Sequence, residues 1–201
     1  VFEHEIEITV KAVGPFTHRL MQVKPGEWVG LRGPFGNGFQ SMEGMVLVGG
    51  GIGNAPLRYL AQRLREERLA FRWVIGVKTA EDLAFCDELA SMPECILLSE
   101  DGSIGKKGRA IDALAKMHEN EPIIMLAAAG PEPMLLAVHG FANTFSPDIP
   151  VQLSFERYMK CAVGLCGQCC LDGTGLRICV EGPVLSGYQL QGVTEWGRPH
   201  R

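Results

Sequence analysis

Five of the seven cysteines in this 201-residue chain lie between Cys161 and Cys179. Four of them are spaced Cys161-x4-Cys166-x2-Cys169-x9-Cys179. A C-x4-C-x2-C run followed by a more distant cysteine is the spacing of a plant-type [2Fe–2S] cluster. Four thiolates must converge on two irons, so the chain has to wrap around a small inorganic core. Bulky side chains would obstruct that wrap, and Gly164 and Gly167 remove them. Backbone N–H groups in such a loop also face the sulfurs and offset the negative charge. Cys166-x2-Cys169 taken alone would suit zinc as well. Structural zinc usually uses two paired CxxC knuckles, and here the second half offers only Cys179. Zinc and plain structural cysteines stand as the alternatives. Cys170 directly follows a ligand, so its side chain should point away from the cluster. Cys86 and Cys95 stand alone and read as small buried core residues. A disulfide framework would be spread along a short secreted chain, and these cysteines are not.

A second chemical feature is the run Val48-Gly49-Gly50-Gly51-Ile52-Gly53-Asn54-Ala55-Pro56-Leu57, placed between a strand and a helix. Glycines there let backbone approach a pyrophosphate, and a helix N-terminus supplies free N–H groups and a positive dipole end. Gly51, Ile52, Gly53, Asn54 and Pro56 are the candidate nucleotide contacts, with Asn54 able to cap the helix and Pro56 suited to its first turn. Tight strand–helix turns also need glycine for steric reasons alone. The run is not a G-x-G-x-x-G fingerprint, because Pro56 holds the third position. No acidic residue ends the second strand either, where Val77-Lys78-Thr79 stands. A dehydrogenase-type Rossmann domain therefore fits poorly. Gly130, Pro131, Glu132, Pro133 and Met134 form a second loop after a later strand, on the same side. Its plainer reading is a helix start, with the prolines ending the strand.

The elements that must hold these loops are legible in outline. From Met45 to Gly50 the sequence is continuously apolar, as in a parallel strand covered on both faces. Leu57, Leu60, Ala61 and Leu64 then recur at helical spacing. Strand Phe71–Val77, helix 82–90, strand Cys95–Ser99, helix 109–118, strand 123–128, helix 132–141 and strand 151–155 continue the alternation. Repeated strand–helix units predict an α/β domain with a doubly wound parallel sheet, its ligands at the C-terminal strand ends. Upstream, Glu5 to Val13 alternates polar and apolar residues, and 26–32 looks like another strand. Between them 17–21 reads as a short helix with Thr17 at its N-cap. Two strands make no stable domain alone. This part is expected to be the remainder of an antiparallel β-barrel or a flap on the next domain. Three domains follow: 1–40, 41–155 and a Cys- and Gly-rich segment 156–201 that needs something covalent or metallic to hold it.

Composition narrows the partners. With 46% hydrophobic and 21% charged residues and a net charge of −4, the chain has no basic excess for nucleic acid or a membrane surface. Its most apolar stretch, 122–138, is cut by Gly130-Pro131-Glu132-Pro133, short of the ~20 apolar residues a spanning helix needs. The opening Val1-Phe2-Glu3-His4-Glu5 is neither a signal nor a transit peptide and lacks an initiator Met, so a fragment of a longer cytoplasmic protein is expected.

Together the Gly49–Leu57 run, the Gly130–Met134 loop and the cysteine loop resemble the ferredoxin–NAD(P)+ reductase superfamily. Within it they are most similar to the electron-transfer subunits of NAD-linked, two-subunit dihydroorotate dehydrogenases. Gly33-Pro34-Phe35-Gly36-Asn37-Gly38-Phe39 resembles that family's GPxGNGF, which ends the flavin barrel. Met159-Lys160-Cys161 through Cys179, then Glu181-Gly182-Pro183-Val184, resembles its cluster segment. The resemblance implies cluster ligands Cys161, Cys166, Cys169 and Cys179, and FAD on the N-terminal barrel. It implies FAD contacts from Thr9, Val10 and Lys11, and from Phe16 and Thr17, where Phe16 replaces the family's Gly. The family's Arg-Pro-x-Ser flavin motif is expected upstream of Val1. Ala129 stands where relatives often have Cys beside the nicotinamide. Asp101, in Ser99-Glu100-Asp101-Gly102-Ser103, would favour ribose hydroxyls and so NAD over NADP, an argument blunted by Lys106, Lys107 and Arg109. The implied partner is a catalytic flavin-containing subunit in a hetero-oligomer, passing electrons through [2Fe–2S] and FAD to NAD. The flavin/iron–sulfur subunit of a sulfhydrogenase or an NADH-dependent ferredoxin:NADP reductase shares all three motifs. A zinc-stabilised nucleotide-binding adaptor is the non-redox alternative.

Overall fold

The computed structural model describes residues 5–145, 149–194 and 196. They fall into two compact units that meet in sequence between Pro34 and Phe35. In the first unit the one regular element is helix α1 (Pro15–Leu20). Segments 5–13 and 26–32 form no hydrogen-bonded strand. Period-2 alternation marks a strand only where a neighbouring strand accepts its backbone groups, and none lies here among the described residues. Gly14 rather than Thr17 caps α1. Thr17 instead reaches back from the first turn, accepting the Val13 and Gly14 N–H groups at 3.0 Å each and donating to the Gly14 carbonyl.

The second unit is a sheet sandwiched between helices. Its elements in chain order are β1 (Met45–Gly50), α2 (Asn54–Glu66), β2 (Phe71–Val77), α3 (Cys86–Ser91), β3 (Cys95–Ser99) and β4 (Lys106–Lys107). After these come α4 (Ala110–Asn120), β5 (Leu126–Ala129), α5 (Glu132–Phe145), β6 (Val151–Ser154) and β7 (Val184–Ser186). The sheet runs β4-β3-β2-β1-β5-β6-β7, parallel throughout except for β7, which pairs antiparallel with β6. The unbroken apolar run of β1 is explained by burial on both faces. Val46 and Val48 join the core under α4 and α5, while Met45 and Leu47 join the one under α2 and α3. Leu57, Leu60, Ala61 and Leu64 bury the inner stripe of α2 as their spacing predicts.

The expected helix over 82–90 divides. Ala80–Asp82 makes a 3-10 turn, Phe85 takes a left-handed conformation (φ 61°), and α3 starts only after it. Strand β5 begins three residues later than expected and α5 runs four residues further. Cys86 and Cys95 are half-buried against the α2–α3 core layer, and burial pushes the Cys95 thiol up to about 11, so it stays protonated at neutral pH.

The cysteine segment belongs to this second unit. Cys169, Leu171, Ile178, Cys179, Leu185 and Leu190 are all buried in the same core as Phe155 and α5. Hydrophobic burial therefore anchors the segment's base, and its loop is what remains outside. No described helix is long and apolar enough to cross a membrane.

Candidate functional site

In a doubly wound sheet, ligands bind where the winding reverses, outside the strands' C-terminal ends. Here the reversal lies between β1 and β5, because β2, β3 and β4 follow on one side of β1 and β5, β6 on the other. The two glycine loops of the sequence follow β1 and β5, so both open into that crevice. They touch. A Cβ on Gly53 would lie 2.3 Å from the Ala129 carbonyl oxygen, and one on Gly50 would lie 2.8 Å from Met134 Sδ. Gly130, at φ +154°, has Gly50 Cα 3.0 Å from where its Cβ would stand. These glycines let two backbones meet, a steric task. Gly51 differs: its φ is +54°, and a Cβ there would meet nothing nearer than the Asp82 carbonyl at 4.0 Å. Open space above a left-handed glycine is what an approaching pyrophosphate needs.

Other predicted nucleotide contacts turn out to support the loops. Asn54 is fully buried and does not cap α2; its side-chain amide donates to the Gly51 carbonyl at 2.9 Å, closing the turn. Ile52 is half-buried beside it, and Pro56 is exposed on the first turn of α2. Glu132 is buried, with a side chain 9% exposed, and its carboxylate is ion-paired with Arg157, whose side chain is 11% exposed. Pro131 and Pro133 are exposed, while Met134 is half-buried against Gly50. At the end of β3, Asp101 Oδ1 accepts from the Ser103 N–H (2.9 Å) and hydroxyl (2.7 Å), which lower its pKa. Ser103 Oγ in turn accepts from Ala80 N–H at 2.8 Å. Asp101 thus shapes the loop with one oxygen. In the first unit, Thr9 and Val10 are half-buried, Lys11 and Phe16 are exposed, and the Thr17 hydroxyl is committed to the start of α1.

The cysteine loop gathers its thiols in two pairs. Cys161 and Cys166 lie within hydrogen-bond reach of each other, and so do Cys169 and Cys179. Cys161 Sγ also faces the backbone N–H groups of Val163, Cys166 (3.4 Å) and Leu165, which draw its thiol down to about 6. Cys179 is buried, and its burial pushes the thiol up, while the Gly164 N–H faces it from across the loop. Left-handed Ala162 (φ 58°), Gly164 (78°) and Gly167 (69°) turn these amides inward. Such a concavity of N–H groups is an anion nest. Among the described residues, no three His, Cys, Asp or Glu side chains gather as ligands of a single ion do. Two thiol pairs in an amide-lined loop instead suit a two-iron cluster, which would take four thiolate donors. The donor set fits a [2Fe–2S] cluster. Cys170 follows Cys169 but does not join either pair.

Three further contacts hold this loop in place and in shape. Asn37 Nδ2 donates to the Val180 (3.3 Å) and Glu181 (3.1 Å) carbonyls, and its N–H donates to that of Gly182 (2.5 Å). A Cβ on Gly36 would overlap the Gly182 carbonyl at 2.0 Å, which accounts for glycine there. The Gly36-Asn37 motif is thus a staple for the end of the cysteine segment. Arg157–Glu132 ties the segment's start to the second glycine loop, and Arg177–Glu181 closes the loop from outside. The Asn37 and Arg157–Glu132 contacts join residues far apart in sequence, whose pairing leaves no local pattern, whereas Arg177–Glu181 is a local i,i+4 pair.

Residues 156–191 match the family model described as the iron-sulfur cluster binding domain of dihydroorotate dehydrogenase B. A protein of Methanothermobacter thermautotrophicus, named a probable dihydroorotate dehydrogenase B (NAD(+)) electron transfer subunit, is 45% identical over 199 residues, 98% of this chain and 73% of that protein. A protein of Methanopyrus kandleri with the same name is 41% identical over 201 residues, 99% of this chain and 75% of its own length. Among solved structures, that of an NADH-dependent reduced ferredoxin–NADP oxidoreductase superposes with a TM-score of 0.77 at 31% identity, covering 90% of this chain and 66% of that one. Thiol pairs, switch-point loops and near-full-length identity agree: the chain belongs to the family of dihydroorotate dehydrogenase B (NAD(+)) electron transfer subunits.

Proposed function

We propose that this chain is the electron-transfer subunit of a two-subunit dihydroorotate dehydrogenase, carrying electrons from a dihydroorotate-oxidising flavin subunit to NAD+. The observation that carries the reading is the gathering of four thiols in two pairs on a loop tied to a switch-point nucleotide site. When bound, a [2Fe–2S] cluster relays single electrons and FAD combines two of them for hydride transfer to NAD+, chemistry that belongs to the cofactors. The chain supplies spacing, orientation and access. Cys161 and Cys166 would hold one iron, Cys169 and Cys179 the other. Gly51 and Ile52 would face the NAD pyrophosphate, with Gly53, Asn54 and Pro56 shaping that turn. Gly130, Pro131, Pro133 and Met134 would face the nicotinamide side, with Glu132 as a buried support and Asp101 shaping the ribose loop. Thr9, Val10, Lys11, Phe16 and Thr17 would supply this chain's share of the FAD site, with the Thr17 hydroxyl exchanging its helix-cap bonds for a flavin phosphate. On this reading 1–40 serves the flavin, 41–155 the nucleotide and 156–201 the cluster, in a cytoplasmic hetero-oligomer.

Apolar side chains are also exposed on the cluster loop and just before it. Val163 (52% exposed), Leu165 (86%), Tyr158 (58%) and Met159 (41%) are left in water. Apolar side chains around a redox loop suit the catalytic subunit as their cover. Coexpression with a dihydroorotate-oxidising flavoprotein tests the function. Dihydroorotate-dependent NAD+ reduction is expected from the complex and not from either subunit alone. A complex that reduces NAD+ from a reduced ferredoxin but not from dihydroorotate would select the ferredoxin:NADP-reductase relatives instead.

A further inference from the structure

The cysteine loop is gripped from outside by one side chain. Arg177 Nη1 donates to the Gly164 carbonyl at 3.3 Å, and a Cβ on Gly164 would lie 3.0 Å from the same nitrogen. Glu181, four residues on, holds Arg177 in place. Its Oε1 accepts Arg177 Nη2 at 2.5 Å, and its Oε2 accepts both Nε (3.3 Å) and the Arg177 backbone N–H (2.7 Å). This fork-to-fork geometry is the strong, oriented kind of ion pair. Gly164 sits within the run whose N–H groups face Cys161 and Cys179. The guanidinium is also within electrostatic reach of the Cys170 and Cys179 thiols.

We infer that the Arg177–Glu181 pair sets the reduction potential of the cluster, with Arg177 favouring the reduced state and Glu181 opposing it. The inference rests on the [2Fe–2S] reading. Reduction adds one electron, and so one negative charge, to a core already bearing four thiolates. A nearby cation and N–H groups aimed at the sulfurs stabilise that added charge; a nearby anion does the reverse. Arg177 contributes both favourable elements, its own charge and its hold on the Gly164 peptide. Glu181 fixes the guanidinium and partly cancels it. The side chains are 41% and 26% exposed, so water screens part of the effect without removing it.

Anaerobic dithionite titration of the cluster-loaded protein, followed by the electron paramagnetic signal of the reduced cluster, tests the assignment. Arg177→Gln is expected to make reduction harder, on the order of tenfold in the one-electron equilibrium, about 59 mV. Glu181→Gln keeps most hydrogen-bonding geometry but loses the charge, and should shift in the opposite direction. Arg177→Lys keeps the charge without the bidentate grip and should stay within roughly threefold of wild type. Shifts of opposite sign for Arg177→Gln and Glu181→Gln support the inference. If Arg177→Gln holds no cluster, easier reduction of Glu181→Gln with a near-wild-type Arg177→Lys supports it equally. Shifts of the same sign, no shift, or loss of the cluster from both Glu181→Gln and Arg177→Lys would overturn it, leaving the pair a structural staple. A wild type that takes up no cluster would overturn the cluster reading itself, and this inference with it.

Discussion

Cys166→Ser is expected to strip the protein of its visible charge-transfer absorption and its iron while leaving the fold in place. Cys166 is exposed at the outer end of the loop and takes no part in the core. Its loss therefore costs packing little. As one of the Cys161–Cys166 pair it would supply half of one iron's thiolates. A serine oxygen is a hard donor and a poor substitute for the soft thiolate iron–sulfur clusters select. Cys170→Ser is the matched control. Cys170 adjoins the ligand set but pairs with none of it, so that variant should keep its full spectrum. Absorption spectra and iron content of the two variants, with circular dichroism to check the fold, make the comparison. An unchanged Cys166→Ser spectrum would remove that residue from the ligand set.

The second large effect is structural. Glu132 and Arg157 are among the most deeply buried charges described, and each is the other's partner. Removing one leaves an uncompensated buried charge, which typically costs about 3–5 kcal/mol. Arg157→Met and Glu132→Gln should each lower the melting temperature on the order of 10 °C in a domain of this size. The double variant Glu132→Leu with Arg157→Met buries no charge and should recover most of that loss. Thermal melts of the singles and the double settle the matter. Single variants that melt within a degree or two of wild type would mean that both side chains reach solvent. The pair spans the second glycine loop and the start of the cysteine segment, so its stability effect is also a test of how firmly the nucleotide and cluster sites are joined.

What the sequence reveals depends on how local the cause is. The four-cysteine spacing is legible because metal geometry constrains neighbours a few residues apart. Strands β1, β2 and β3 start and stop where their apolar runs do; β1 is buried at every position, and β2 and β3 keep the run with only Arg72 and Ser99 as polar members. Strand β4 is two exposed lysines, and β7 is three residues of mixed burial. β4 carries no hydrophobic signature and β7 is too short for one to stand out; each forms because a neighbouring strand offers a free edge. The helix expected over 82–90 breaks at Phe85, whose left-handed backbone no propensity scale would assign to an aromatic residue. The alternation over 5–13 is a true pattern without a ladder in the described structure. In the site, the glycines were visible but their reasons were not. Gly50, Gly53 and Gly130 serve loop-to-loop contact, Gly49 makes room for the Asn54 and Trp73 side chains, and of these loop glycines only Gly51 has the open space a ligand would need. Asn37 meets Glu181 from 144 positions away, a pairing that only the folded chain can make.

All the chemistry proposed for this chain needs four thiols enclosing two irons. Iron, acid-labile sulfide and zinc analysis of the anaerobically purified protein, alongside its visible spectrum, addresses it directly. Two irons and two sulfides per chain, little zinc, and a spectrum bleached by dithionite are expected. A colourless protein holding one zinc and no sulfide, and taking up no cluster on reconstitution, would contradict it.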